Sequence, residues 1–85
     1  MITLSSYTAD ILRSLRRKHI IAGKHTEEKN CFRRIKNLSA DEQHIVYKEW
    51  AMCINEELIL RMKKTGEWHV SLNPRMLKEI MRLTQ

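Results

Sequence analysis

Apolar residues recur at helical spacing through most of this chain. The first periodic segment runs from about Ser6 to Ala22. Leu4 stands just ahead of it, and Ile11, Leu12, Leu15, His19 and Ala22 share one stripe of a 3.6-residue period. Ser5 or Ser6 can cap its start, and Gly23 stops it. Arg13, Arg16, Arg17 and Lys24 fall away from the stripe, so this helix turns an apolar face inward and a basic face to solvent. His19 is expected as a packed imidazole, and Ile20, off the stripe, as exposed in a monomer. After the Gly23-Lys24-His25 connection, Thr26 with Glu27 and Glu28 predicts a second helix start, because a hydroxyl takes an orphan amide while carboxylates suit the positive helix end. Cys31, Ile35 and Leu38 form its inner stripe with Phe32 at the edge, and Asn30, Arg33, Arg34 and Asn37 form its outer face.

Ser39-Ala40-Asp41-Glu42 is a capping box. It opens the longest expected helix, about Ala40 to Lys64, whose apolar positions from Val46 through Trp50 and Leu58 to Met62 cover more than one stripe. Gly66 ends it. Residues 67–72 alternate polar and apolar and predict a short extended segment with Trp68, Val70 and Leu72 inward, either an ordered loop or a strand pairing across a dimer. Asn73 as cap and Pro74 as first residue start a last helix whose apolar surface comes from Met76, Leu77, Ile80, Met81 and Leu83. These elements predict an all-α fold: one domain, residues 1–85, of about four helices plus the extended segment near 67–72.

Composition narrows the class. The chain has 85 residues, 42% apolar and 31% charged, with two Gly and one Pro, which makes it too apolar for disorder and too poor in turn formers for a many-stranded sheet. A domain this small has modest stability, so a homodimer or a bound partner is expected, the homodimer first. Cys31 and Cys53 lie in apolar stretches without a short-spaced partner and read as reduced, partly buried thiols, one long bridge between them being the alternative. The opening residues lack the basic region of a signal peptide and no stretch is apolar for long enough to cross a bilayer, so a cytoplasmic, non-membrane location is expected.

Charge adds the main functional hint. Residues 1–38 carry nine Lys and Arg against Asp10, Glu27 and Glu28, a surplus of six, whereas residues 39–85 are neutral overall. Such a front and back suits a polyanionic partner. The first expectation is a small DNA-binding or nucleoid-associated transcriptional regulator. Arg13, Arg16, Arg17, Lys24 and Lys29 would neutralise phosphates, and Asn30, Arg33, Arg34 and Asn37 would approach bases or backbone as a recognition helix does. The alternative is a protein-interaction module, an inhibitor or adaptor docking its basic half on an acidic protein.

Other chemistry is poorly signalled. A metal site would require Cys31, Cys53 and two of His19, His25, His44 and His69 to converge without any short ligand cluster, so no metal or cofactor is expected. Cysteine–histidine or His44–Glu42 pairs lack an orienting group or oxyanion feature, which points away from an enzyme and leaves no small-molecule substrate evident. Trp50 reads as core. Ile20, Trp68, Val70, Met76 and Met81 form a candidate interface, with core the preferred account of the last four. Residues 9–17 (ADILRSLRR) and 38–47 (LSADEQHIVY) resemble stretches of the Hha/YmoA family, small helical modulators that join nucleoid-associated silencing proteins. The connection between the stretches has a different length and residues 68–85 depart from the family's pattern, so the resemblance implies a regulator acting with a protein partner on DNA without assigning residues.

Overall fold

A computed structural model describes residues 2–85. Helix α1 (Ser6–Arg17) leads to a short strand β1 (Thr26–Glu27), then α2 (Glu28–Cys31) and a 3-10 turn (Phe32–Ile35). Helix α3 (Ala40–Asn55) follows, then a hairpin of β2 (Ile59–Lys64) and β3 (Glu67–Leu72). A 3-10 turn (Pro74–Met76) feeds α4 (Leu77–Leu83). The fold is mixed α/β, which corrects the all-α expectation: among the described residues a three-stranded antiparallel sheet runs in the order β1-β3-β2.

Two helix ends explain most of that correction. The periodicity predicts a helix to Ala22, yet α1 stops at Arg17, where the amide of Ile20 donates to the Leu15 carbonyl and that of His19 to Arg16. The helix expected over 40–64 stops at Asn55 in the same way, with Leu58 donating to Cys53 and Glu57 to Ile54. Both are Schellman ends, a motif that normally places glycine at the left-handed position. Here that position holds His19 (φ 56°) and Glu57 (φ 61°). The left-handed residue re-aims the chain, so Ile20 and Leu58 fold back into the core. Ile20 is thus buried and His19 exposed, the reverse of the helical-stripe reading.

The freed residues become β2, which pairs along its whole length with β3 from Ile59 opposite Leu72 to Lys64 opposite Glu67. The 67–72 segment is therefore a strand paired within its own chain. Thr65 (φ 47°) and Gly66 (φ 83°) form a two-residue turn with positive φ at both positions, the geometry that matches strand twist. Thr26 and Glu27 pair with Val70 and His69 instead of capping a helix. The second helix shrinks to one turn of α2 plus the 3-10 turn.

The capping box is present, with Ser39 Oγ accepting from the Glu42 amide and Glu42 accepting from Ser39. Asn73 caps the final segment and its side-chain amide donates to the Glu57 carbonyl at 2.8 Å. Tyr7 donates to Glu42, and Ser5 and Thr8 donate to Glu49, tying α1 to α3. Between them lies a core of Ile11, Leu12, Val46, Trp50, Cys53, Ile59, Val70, Leu72 and Ile80.

Candidate functional site

The end of α1 and the α2 segment enclose a basic groove. Ile11, Leu12 and Leu15 face the core, which leaves Arg13, Ser14, Arg17 and Lys18 along the outer side of α1. Cys31 and Ile35 pin the short second segment from below, so Asn30 and Arg34 stand on its surface. A groove of about 240 Å³ opens between them, lined by Asp10, Arg13, Ser14, Arg17, Lys18 and Arg34. Arg13 is ion-paired with Asp10, and its Nε donates to the Thr84 carbonyl at 2.9 Å. Among the described residues Arg17, Lys18 and Arg34 form no ion pair. A second, smaller cavity of about 70 Å³ adjoins the groove, sharing Ser14, Lys18 and Arg34 with it.

On its other side α2 is fastened to the hairpin. Arg61 donates from Nε and a terminal nitrogen to the two oxygens of Glu28, each at 2.9 Å, and the Trp50 indole donates to Glu28 at 2.8 Å. Burial pushes the Glu28 carboxyl up, but the hydrogen bonds from Arg61 and Trp50 outweigh it and hold the carboxyl below its ordinary range. The Arg61 guanidinium lies 3.8 Å from the centroid of Trp68, with the Lys63 ammonium at 5.7 Å. Lys29 is ion-paired with Glu27 and Glu67. The hairpin tip is exposed and carries Lys63 and Lys64.

His25 and His69 meet Nδ1 to Nδ1 at 2.8 Å where β1 joins β3. Burial, then Lys64, then His69 lower the His25 pKa. Cys31 and Cys53 are free buried thiols, pushed up by burial to about 11 and about 12, which keeps them neutral. Among the described residues, no group of three or more His, Cys, Asp or Glu is placed to hold a metal ion, and no helix is long and apolar enough to cross a membrane.

Of the residues expected to meet phosphates, Arg17 faces the groove freely and Arg13 borders it in its ion pair. Arg16 is half-buried with its Nε unpartnered, Lys24 donates to the Lys18 carbonyl, and Lys29 turns toward the hairpin. Asn30 and Arg34 line the cavity, whereas Arg33 and Asn37 are exposed away from it. The expected recognition face is not a helical face, because one turn of α2 followed by a 3-10 turn does not keep i, i+3, i+4 and i+7 in line. In the candidate interface, Val70 is core as expected and Met76 packs against the core, whereas Ile20, expected exposed, is buried, and Trp68 and Met81, expected inward, are exposed, the Trp68 ring being covered by the Arg61 guanidinium and not by the core. Sequence reasoning missed Lys18 as a groove residue and the hairpin cations. Lys18 sits past the true helix end, and Arg61, Lys63 and Lys64 were assigned to a helix that does not extend so far.

Comparison of the chain with protein-family models, with curated proteins and with solved structures finds no match. The likeness to the Hha/YmoA family thus rests on two short stretches, one within α1 and one opening α3.

Proposed function

We propose that the protein binds nucleic acid as a small cytoplasmic DNA-binding or nucleoid-associated regulator, acting as a homodimer and holding phosphates in the α1–α2 groove. One observation carries this reading: Arg17 and Lys18 at the end of α1 and Arg34 after α2 line a single groove whose carboxylate, Asp10, is held by Arg13, and among the described residues none of the three is ion-paired. Cations lining one groove repel one another, and a row of phosphates offsets that repulsion while releasing counterions.

Topology adds support by analogy. A helix, a strand, two helical segments, then a hairpin whose last strand pairs back with the first, is the element order of winged helix-turn-helix modules. Helix α3, with its 16 residues, is long enough to follow a groove, and the exposed Lys63 and Lys64 at the hairpin tip favour backbone contact. With α2 so short, backbone contact comes first and sequence preference second.

Anisotropy of labelled duplex DNA across about 50–200 mM salt tests this, with a logarithmic slope near −5 expected from roughly three neutralised phosphates on each protomer of the dimer. Arg17→Glu with Arg34→Glu is expected to weaken binding at least about tenfold and flatten the slope, while Arg75→Glu, outside the groove lining, leaves both unchanged. Absence of duplex binding at the low-salt end sinks the reading.

A further inference from the structure

The small cavity beside the groove is not what a nucleic acid requires. Its floor is apolar, made by Ile11, Leu15, Ile20 and Cys31, each almost wholly buried, and its rim carries Ser14, Asn30, Lys18 and Arg34. At about 70 Å³ it is roughly half the size of a cavity that admits benzene, which is room for an aliphatic group of about three or four carbons. Phosphates would satisfy Lys18 and Arg34 and leave that floor unfilled. A ligand satisfying both halves carries negative charge on either side of one small aliphatic group.

We propose that the cavity and the groove together bind an acidic peptide segment of a partner protein, its one aliphatic side chain seated on Ile11, Leu15 and Ile20 and its flanking carboxylates on Arg17, Lys18 and Arg34. Charge complementarity selects this occupant, because the three cations lack ion-pair partners among the described residues and two of them, Lys18 and Arg34, line the same cavity as the apolar floor. The aliphatic anchor gives affinity by leaving water, and the carboxylates set its register. The inference does not depend on the nucleic-acid reading, but it uses the same cations, so peptide and duplex are mutually exclusive on this surface.

The test compares two labelled acidic hexapeptides, one with a central leucine and one with serine in its place, by anisotropy with the full chain. The leucine peptide is expected to bind at least about tenfold more tightly, from burial of its side chain. Ser14→Leu, which fills the cavity mouth without changing charge, is expected to erase that preference, and Arg34→Glu to weaken both peptides. Methyl NMR of the unaltered protein gives a second readout, with Ile11, Leu15 and Ile20 resonances shifting for the leucine peptide alone. Equal affinity for the two peptides, binding of neither, or a leucine preference that survives in a folded Ser14→Leu variant overturns the proposal. Competition with duplex separates the two readings: leucine-selective binding by a protein that ignores duplex upholds this inference while rejecting the nucleic-acid one.

Discussion

Glu28 shows how much a single side chain can organise. Its carboxylate receives Arg61 from β2 and the Trp50 indole from α3, so one residue of α2 locks the groove wall against both the hairpin and the central helix. Because its folded pKa lies below the ordinary 4.5, its contribution is fully present above that value and is lost as pH falls through the folded pKa. Glu28→Gln is expected to cost about 1–2 kcal/mol at neutral pH, from weaker bonds to charged and indole donors, and to flatten the acid limb of stability. Urea unfolding from pH 7 down to about 3 checks both, and an unchanged acid limb would assign acid sensitivity elsewhere. His25 follows the same logic in another window: its lowered pKa means stability falls as pH drops below 6.5.

At the scale of elements, this chain starts its helices with strong local signals and ends them with weak ones. Ser39 with Glu42, and Asn73 with Pro74, announce their helices through contacts within one turn. The ends of α1 and α3 use the left-handed position without glycine, holding His19 and Glu57 at a conformation that ordinary residues adopt at a cost of roughly 1–2 kcal/mol. Glu57 is exposed, so its side chain contributes little in return. Glu57→Gly is therefore expected to stabilise the fold by about 0.5–1 kcal/mol, measured as a rise in unfolding midpoint with unchanged circular dichroism. A loss of stability would mean that the Glu57 side chain supports the turn into β2.

For the molecule as a whole, distant segments close one core. The Ile20 carbonyl and the Ala22 amide bond to the backbone of Leu72, and Arg13 of α1 reaches the carbonyl of Thr84. Ile80 of the last helix is completely buried beside the residues of α1 and the sheet. In a chain this small, total stability is about 5–15 kcal/mol, so one core residue is a large fraction of it. Ile80→Ala is expected to cost about 2–5 kcal/mol and to lower the thermal midpoint of the entire protein in one transition. Separate melting of the carboxyl-terminal segment, with α1 and the hairpin intact, would show instead that α4 is an appendage.

The amino-acid sequence by itself determined the caps at Ser5, Ser39 and Asn73, the core positions Ile11, Leu12 and Leu15 of α1 and Val46, Trp50 and Cys53 of α3, the buried thiols, and the concentration of Arg and Lys in the first 38 residues. These properties depend on neighbours within a turn or on composition alone. Only the tertiary structure decided that Ile59–Lys64 is a strand, that Thr26 pairs with Val70 rather than capping a helix, and that Arg17, Lys18 and Arg34 share one groove. A segment such as Ile59–Met62 satisfies a helical stripe and a strand face equally well. Pairing with residues far along the chain decides between them, through ladder hydrogen bonds and burial that local periodicity does not encode.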